Sequence, residues 1–578
     1  MRNVALKKTT PRFHASLLWV LALPVCLWIA HTSAEIGMDD DWSYIYSARV
    51  LADTGHVVYN GWTTAILGWQ LYWAALFIKL FGFSFAIARA STVIVATLTI
   101  ALCQRLFVRF GASEWNATIG SLTLALSPLY LPLASMFMTD IPGFFAIVVC
   151  LYGCVNAVEA ETDRAALGWL IFASLSNSVL GTVRQTSWLG ALVIVPSACW
   201  LMRRRRGAVL TGSLLWLFNL IVVFGCMHWF KLQPYASVVE LRKPEFHWWM
   251  IHSLRHIVVI NLLEIAWLVL PVLLAVWAKY PFRDRKARMR AMLGMSALLI
   301  PVLSVWARHK GSDYLAPFTP NIVTFALNSS AIGSVVLIKR VRQCLTLLTF
   351  VALLGFALYL WNAPRARSRK PSNETGLSSK SVWILLGPFG VAYSATLLNM
   401  SNLVDRYLVP LIFIALVALL RIYQNRTGGR LPWITLFLML AVGAYSTAAT
   451  HDAYAVARAK LAAANEIRAA GIPRTEIQAG FEYDGWTQIE AAGYINYELL
   501  SKPGEYHPMP PLDPNDRCAY WFRNHAPAVH GHYILSYFPQ DCYPASRFDP
   551  VSYRIWLPPY RSVIYIQENP FTIGRRRP

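Results

Sequence analysis

The sequence predicts an all-α protein that crosses a membrane many times and ends in a small α+β domain. Of its 578 residues, 56% are hydrophobic and only 14% are charged, whereas soluble domains carry about a quarter charged residues. Apolar runs close to the ~20 residues that a helix needs to cross a bilayer recur from residue 15 to about residue 449. From residue 450 the chain is more polar. We therefore expect a transmembrane domain over 1–449 and a soluble domain over 450–578.

The net charge of +22 fits a membrane protein better than a nucleic-acid-binding protein. The Lys and Arg residues stand in short clusters between apolar runs, as at Arg203–Arg206. This is the distribution that the positive-inside rule describes, in which basic loops lie in the cytoplasm. We therefore expect no nucleic-acid partner, and we place Arg203–Arg206 on the cytoplasmic side.

The first apolar run, Ala15–Ala30, is interpreted as a retained signal anchor. It follows the basic segment 2–12 and precedes Thr32-Ser33-Ala34, which imitates a signal peptidase site. Cleavage at that site would remove the helix that presents the next loop. With the anchor retained, the N-terminus is cytoplasmic and the first loop lies outside.

Alternating the side of each loop, starting from Arg203–Arg206, predicts about thirteen spans. The predicted spans are residues 15–30, 90–108, 116–137, 141–158, 166–182, 187–202, 208–229, 256–277, 291–306, 344–361, 381–400, 408–424 and 431–449. The C-terminal tail is then extracytoplasmic. An additional span at 320–338 would reverse the side of every later loop.

The first outer loop, 34–89, contains an apolar stretch, Thr63–Phe83, whose two ends both face outward. It therefore cannot be a simple span. Lys79 within it, and Trp62 and Trp73 along it, suit an interfacial or re-entrant helix, because aromatic rings favour the depth of the headgroups.

The tail combines an amphipathic helix, Ala453–Ala470, with a later part rich in Tyr, Trp and Pro that predicts short strands and loops. The run Phe481–Trp486 is interpreted as a strand end and turn. Cys518 and Cys542 are free to form a disulfide if the tail is outside the cell, whereas they would stay reduced in the cytoplasm.

Three consecutive carboxylates, Asp39, Asp40 and Asp41, follow the first predicted span. Clustered carboxylates repel one another, so at least one pKa is expected to rise unless a cation or a donor compensates. Such a group can act as a general base. The alternative is a solvated acidic turn that caps the following helix.

Three further charged residues are predicted at the same outer face. Asp140 begins a span, either as an ordinary helix cap or as a second acidic group of a site. Arg184 separates two apolar runs, and a charge near membrane depth indicates a function, although snorkelling to the interface is the alternative. Outer basic residues such as Arg406 suit a lipid-linked phosphate or anionic headgroups.

The order of these motifs resembles family 39 of the membrane glycosyltransferases, which includes protein mannosyltransferase-like enzymes and belongs to the glycosyltransferase C (GT-C) superfamily. The matching segments are Asp40-Asp41-Trp42-Ser43-Tyr44, Ala48–Leu51, Gly55, Leu71-Tyr72-Trp73, Phe81-Gly82, Ala88-Arg89-Ala90, Thr139-Asp140, Arg184 and Asp405–Pro410. Two positions depart from the family pattern. Asp41 stands where Glu is commoner, and Gly61-Trp62-Thr63 replaces a His/Lys-Pro-Pro segment.

The resemblance implies a GT-C-like fold and transfer of a sugar, a hexose or a pentose, from a polyprenyl-phosphate carrier. The acceptor would be a glycan, a lipid or a protein at the outer face of a bacterial inner membrane, in glycosylation of the cell envelope. A divalent cation is possible but is not required by the sequence. The alternatives are a transporter or flippase of a lipid-linked sugar, and an adhesion or assembly factor whose tail is the working part.

The resemblance also implies roles for the candidate residues. Asp40 is the expected base for the acceptor hydroxyl, with Asp41 or Asp39 as its neighbour. Asp140 would position the acceptor or a cation. The carrier phosphate would be bound by three residues, Arg184, Arg406 and Tyr407.

Overall fold

The protein forms a helical membrane domain followed by a small domain with a four-stranded sheet. The structure is a computed structural model that describes residues 19–237, 248–278, 335–362, 376–398, 404–500, 502, 504–509, 518 and 520–571. The predicted fold class, an all-α polytopic membrane protein with an α+β C-terminal domain, is confirmed in these residues.

The helices up to the C-terminal domain are α1 (Ala22–Ile29), α2 (Asp41–Thr54), α3 (Gly68–Phe81), α4 (Phe85–Arg109), α5 (Glu114–Ala125), α6 (Tyr130–Ala134), α7 (Asp140–Glu159), α8 (Asp163–Leu180), α9 (Val195–Leu201), α10 (Ala208–Leu232), α11 (Trp248–Leu268), α12 (Leu270–Ala278), α13 (Val335–Asn362), α14 (Ser379–Leu398), α15 (Val409–Thr427) and α16 (Trp433–Ala469). Short helical turns of other types join α8 to α9, at Gly181–Val183, Gln185–Trp188 and Gly190–Ile194. A further 3-10 turn, Asp405–Leu408, leads into α15.

Seven of the described helices are long and apolar enough to cross a membrane. They are Phe85–Arg109, Asp140–Glu159, Asp163–Val183, Ala208–Leu232, Ser379–Leu398, Asp405–Asn425 and Trp433–Ala469. The pair Val258–Leu268 and Leu270–Val276 would form an eighth span with a bend of 83°. The predicted run 291–306 and most of 320–338 lie outside the described residues, so the count of about thirteen spans stays a prediction.

The run 116–137, predicted as one span, forms the two shorter helices α5 and α6 instead. Pro128 explains the break, because proline has no backbone N–H and disfavours helical backbone at the residue before it. Ser127 Oγ accepts a hydrogen bond from the backbone N–H of Tyr130 at 3.1 Å and so begins the second helix. The run 187–202 is also irregular, since a π-helical turn, Gly190–Ile194, precedes α9.

The apolar stretch of the first loop forms α3, which has 14 residues. At 1.5 Å per residue such a helix is about 21 Å long, shorter than the ~30 Å hydrocarbon core. Its side chains bind neighbouring backbone: Trp73 Nε1 donates to Ser91 O at 3.1 Å, and Gln70 Nε2 donates to Met138 O at 3.2 Å. These features fit the predicted interfacial or re-entrant helix.

The first helix is part of the packed core. Leu23 and Leu27 of α1 are buried. Arg458 of α16 donates from Nη1 to His31 O at 2.6 Å and to Ser33 O at 3.1 Å. The segment interpreted as a retained anchor is therefore bound to the helix that leads into the C-terminal domain.

The C-terminal domain contains β1 (Ile477–Gln478), α17 (Phe481–Ala492), β2 (Tyr533–Ser536), β3 (Val551–Arg554) and β4 (Arg561–Glu568). The sheet order is β1-β2-β4-β3, with β1 and β2 parallel and the other pairs antiparallel. The interpretation of Phe481–Trp486 as a strand end and turn is wrong, because this run begins α17. Asp484 Oδ1 accepts a hydrogen bond from the backbone N–H of Ala479 at 2.9 Å and stabilises the start of the helix. Cys518 and Cys542 form a disulfide.

The C-terminal domain and the first outer loop lie on the same face of the membrane domain. The rings of Trp42 and Phe481 are 5.4 Å apart, and the backbone N–H of Ile495 donates to Asn60 O at 2.7 Å. The 20 residues of α7 span about 30 Å, and near its far end Arg205 lies 3.6 Å from Asp163. The basic cluster Arg203–Arg206 is therefore on the opposite face.

Labelling of single cysteines tests this arrangement. In a background with Cys344 replaced by Ser, we expect a membrane-impermeant maleimide to label Asp53→Cys and Glu498→Cys from the same side of sealed vesicles. Arg204→Cys should be labelled from the other side only. All three positions are exposed in the structure, and the mass shift of the protein reports the reaction. Labelling of Asp53→Cys and Glu498→Cys from opposite sides would contradict the fold.

Candidate active site

The three consecutive aspartates have different surroundings. Asp39 has a φ of +55°, a left-handed conformation that Asp tolerates better than most residues. Asp40 is the cap that precedes α2, and Asp41 is the first residue of that helix. This turn sends the three carboxylates in separate directions.

Asp41 is fully buried and pairs with Arg89 of α4. Arg89 Nε donates to Asp41 Oδ2 at 2.8 Å, and the side chains are 3% and 0% exposed. The other donors of Arg89 bind Ala34 O at 2.8 Å and Ile36 O at 2.6 Å. Asp41 also accepts from the backbone N–H groups of Met38 at 2.7 Å and of Phe137 at 3.3 Å. A carboxylate bound on every side in this way stabilises the loop.

Asp40 is held by two donors from distant parts of the chain. Trp62 Nε1 donates to Asp40 Oδ1 at 2.8 Å, and Arg406 Nη2 donates to Asp40 Oδ2 at 2.7 Å. The Asp40 side chain is 14% exposed to solvent. Asp40 is thus oriented without being enclosed, as a group that reacts with a substrate must be.

Arg406 joins Asp40 to two further carboxylates. It lies in the turn Asp405–Leu408, and its Nη1 donates to Asp39 Oδ2. Its Nε is 3.8 Å from Asp140 Oδ2, at the start of α7. One guanidinium therefore faces carboxylates from the first loop and from a spanning helix.

Arg184 contacts the same group of carboxylates from the other side. It is the extended residue between the turns Gly181–Val183 and Gln185–Trp188, and its Nη1 donates to Asp140 Oδ1. Its guanidinium lies 4.1 Å from the centre of the Tyr407 ring, a cation–π contact. Tyr407 also lies 5.7 Å from the guanidinium of Arg406.

We refer to Asp39, Asp40, Asp140, Arg184 and Arg406 as the Asp/Arg cluster. It contains three carboxylates and two guanidinium groups, so negative charge exceeds positive charge when every group is ionised. Removal from water raises the pKa of Asp39 from 3.8 to about 8, although Arg406 acts in the opposite direction and Asp40 adds to the rise. A proton on Asp39 would leave the cluster close to neutral, with two carboxylates facing two guanidinium groups.

The structure brings together most of the residues that the sequence proposed for a site. Asp39, Asp40, Asp140, Arg184, Arg406 and Tyr407 meet in one place, whereas the side chain of Asp41 leaves this group and binds Arg89. Within the described residues no group of three or more His, Cys, Asp or Glu side chains could hold a metal ion. Trp62 was predicted only as an interfacial aromatic, and no local sequence signal links it to Asp40.

No protein-family model matches the chain, and no curated protein matches its sequence. Among solved structures it is similar to apo ArnT from Cupriavidus metallidurans, with 16% identity over 81% of this chain and 84% of that chain and a TM-score of 0.39. It is also similar to the archaeal oligosaccharyltransferase AglB from Archaeoglobus fulgidus, with 13% identity over 88% of this chain and 63% of that chain and a TM-score of 0.33. A third structure is the S. cerevisiae protein O-mannosyltransferase Pmt1-Pmt2 complex, with 13% identity over 38% and 33% of the two chains and a TM-score of 0.30.

Two of these proteins are, by name, an oligosaccharyltransferase and a protein O-mannosyltransferase. The ArnT structure bound to undecaprenyl phosphate is similar to this chain with 15% identity and a TM-score of 0.38. With TM-scores this low the similarities are remote.

The different surroundings of Asp41 and Asp40 predict different effects on stability. Asp41→Asn leaves the buried Arg89 without its counter-charge, which should lower the free energy of unfolding by about 3 kcal/mol or more. Asp40→Asn should lower it by about 1 kcal/mol or less, because Arg406 keeps Asp39 and Asp140 as partners. Unfolding of the two purified variants in detergent measures the difference, and equal losses would contradict the assignment.

The raised pKa of Asp39 predicts a pH dependence of stability. The folded protein binds this proton more tightly than the unfolded chain, so stability should fall as the pH rises from 3.8 to about 8 and then level off. Asp39→Asn removes this contribution. Unfolding temperatures of wild type and Asp39→Asn, measured from about pH 5 to pH 9, should therefore diverge with pH, because other titrating groups cancel in the difference. Parallel curves would contradict the raised pKa.

Proposed function

We propose that the protein is a membrane glycosyltransferase that moves a hexose or pentose from a polyprenyl-phosphate carrier to an acceptor. The observation that supports this function is the Asp/Arg cluster. Its members come from the first outer loop, from the start of α7, from the turn before α9 and from the turn before α15. The fold brings them to one boundary of the membrane domain, where a lipid carrier and a water-soluble acceptor can meet.

The two arginines match what departure of a lipid phosphate requires. When the bond between the sugar and the carrier phosphate breaks, negative charge grows on the phosphate oxygens. Guanidinium groups bind such oxygens with two parallel hydrogen bonds, and donors already in place stabilise the charge as it develops. Arg184 and Arg406 are held beside each other on the two faces of Asp140 and are the proposed ligands of the phosphate, with Tyr407 packed against both.

The carboxylates supply the second requirement, a base for the acceptor hydroxyl. Asp40 is the proposed base because it is partly exposed and both of its oxygens are oriented. Asp39, its neighbour, has a pKa raised by burial to about 8 and is the proposed carrier of a proton that lowers the negative charge of the cluster. Asp140 orients Arg184 and Arg406. We assign Asp41 to the support of this loop, since its contacts are all internal.

Carrier binding and activation of the base are linked through Arg406. In the free protein Arg406 is shared among Asp39, Asp40 and Asp140. A phosphate that arrives beside Arg184 competes for Arg406 and weakens its contact with Asp40. Asp40 is then free to accept the proton of a hydroxyl, so the base becomes active when the donor is bound.

The proposed site faces the outside of the cell. The basic cluster Arg203–Arg206 on the opposite face marks that side as cytoplasmic under the positive-inside rule. The disulfide of Cys518 and Cys542 lies in the domain that covers the site, and disulfides persist in extracytoplasmic compartments. A polyprenyl-phosphate donor and a glycan, lipid or protein acceptor of the cell envelope fit this location.

Transfer of labelled sugar from polyprenyl-phosphate donors tests the function. In membranes that contain the wild-type protein we expect a labelled product, and Asp40→Asn should reduce its rate by roughly 100-fold or more, because the general base is lost. Asp53→Asn, an exposed change on the same helix, is the matched control and should leave the rate unchanged. Membranes with equal amounts of each protein are compared.

Equal rates for wild type and Asp40→Asn would remove Asp40 from the mechanism. If the wild type transfers sugar from no donor, the proposed enzyme activity fails. Movement of a lipid-linked sugar across the membrane without a new glycosidic bond would then favour a transporter.

A further inference from the structure

Trp62 connects the proposed base to the C-terminal domain. Its indole N–H donates to Asp40 Oδ1 at 2.8 Å, while Arg406 occupies the other carboxylate oxygen. Trp62 is the residue whose contact with Asp40 would persist when a phosphate takes Arg406. The direction in which Asp40 points then depends on where the indole ring is held.

The ring of Trp62 is surrounded mainly by aromatic residues of the C-terminal domain. Its centre lies 5.1 Å from that of Tyr497, 5.2 Å from Phe481, 5.4 Å from Phe522 and 5.7 Å from His525. Such ring pairs each stabilise a contact by about 0.5–1.5 kcal/mol beyond the area that they bury. The membrane domain supplies Trp42, at 6.0 Å.

The backbone around Trp62 also contacts the same domain. Asn60 is fully buried, and its carbonyl oxygen accepts a hydrogen bond from the N–H of Ile495 at 2.7 Å. The side chain of Asn60 accepts from Ser43 Oγ at 2.8 Å and from the N–H of Trp62 at 3.3 Å. The C-terminal domain therefore contacts both the ring and the main chain that present the indole N–H, while Tyr235 O and Ser237 Oγ of the membrane domain bind Gly61 at 2.9 and 2.7 Å.

We propose that Trp62 is a positioning residue for the sugar transfer and that the C-terminal domain takes part in catalysis by holding its ring against Asp40. The inference deepens the proposed function and rests on it. It gives the C-terminal domain a role in the chemical step, distinct from a lid over the site or a separate module for the acceptor.

The hydrogen bond from Trp62 to Asp40 should affect the acid limb of the pH–rate profile. A donor to the ionised form of a carboxylate favours that form, so loss of the indole N–H makes Asp40 easier to protonate. The other groups that face Asp40 stay in place: Arg406 from the turn before α15, Asp39 beside it, Tyr44 on α2 and Tyr497 of the C-terminal domain. The change in the pH profile is therefore due to one neutral donor.

Trp62→Phe is the first test, because it removes the N–H and keeps an aromatic ring in the same packing. We expect kcat to fall about tenfold, with KM for the lipid donor changed by less than about twofold. The acid limb of the kcat/KM profile should move to higher pH. Trp73→Phe is the matched control, since that indole also comes from the first loop but donates to the backbone oxygen of Ser91. Its kinetics should equal those of the wild type.

Phe481→Leu tests the part played by the C-terminal domain. It leaves Trp62 intact but removes the ring that packs on it, so kcat should fall while the binding of the donor persists. The two substitutions act through one contact, and the double variant should therefore be no slower than Trp62→Phe alone. Unfolding temperatures of all variants are measured in parallel. If Trp62→Phe does not fold, the pH profile of kcat/KM is measured for Phe481→Leu instead. A shift of its acid limb to higher pH supports the positioning role of Trp62, and an unchanged profile contradicts it.

The outcomes separate the two proposals. If the wild type transfers sugar and Asp40→Asn does not, but Trp62→Phe matches Trp73→Phe in rate and pH profile, the positioning role is wrong and the glycosyltransferase stands. If the decreases in kcat caused by Trp62→Phe and by Phe481→Leu multiply in the double variant, the proposed role of the C-terminal domain is wrong. Absence of transfer by the wild type would overturn the enzyme, and the inference with it.

Discussion

The buried pair of Arg89 and Asp41 is the constraint on which the geometry of the site depends. A guanidinium taken out of water requires a counter-charge and acceptors for its protons. Arg89 obtains them from Asp41 and from the carbonyl oxygens of Ala34 and Ile36. These oxygens belong to the chain that enters the acidic turn, and Asp41 begins the helix that leaves it. Because the turn is fixed at both ends, the two aspartates between them point where the fold directs them, even though like charges would separate in a free loop.

The opposite charges of the Asp/Arg cluster are paired within the protein itself. Its carboxylates and guanidinium groups form ion pairs with one another, which offsets the cost of burying charges at a membrane boundary, although Asp140 Oδ2 and Arg406 Nε, 3.8 Å apart, make no hydrogen bond. The same contacts are exchangeable, because a phosphate offers an arginine the geometry that a carboxylate offers. The aromatic contacts around Trp62 cannot be exchanged in this way, since they contain no charge that a ligand could replace. The site thus combines partners that a substrate can displace with a support that it cannot.

Hydropathy and charge bias are local properties of the sequence. They predict apolar helices and the side of the membrane on which each loop lies. Alternation of the loops predicted the members of the cluster on one face, and the small sheet lies in the polar tail, where short strands were predicted. The break at Pro128 lay within an apolar run and was missed because hydropathy alone gives no sign of it. The partnership of Arg89 with Asp41 and that of Trp62 with Asp40 could not be predicted, because each depends on packing between segments distant in sequence. The run Phe481–Trp486 was misinterpreted for a different reason, because six residues are too few to show a helical period.

The docking of the C-terminal domain on Trp62 also determines at what point during synthesis the proposed base becomes oriented. Trp62 leaves the ribosome about 420 residues before Phe481, which at ordinary rates of synthesis corresponds to about 20 to 80 s. During that interval the membrane helices can insert and the acidic turn can form around Arg89, but the proposed base has no fixed orientation. A chain whose synthesis stops early, or whose last domain fails to fold, would remain in the membrane without acting on lipid-linked sugars. Under the proposed function, the order of the domains therefore delays sugar transfer until the last domain has folded.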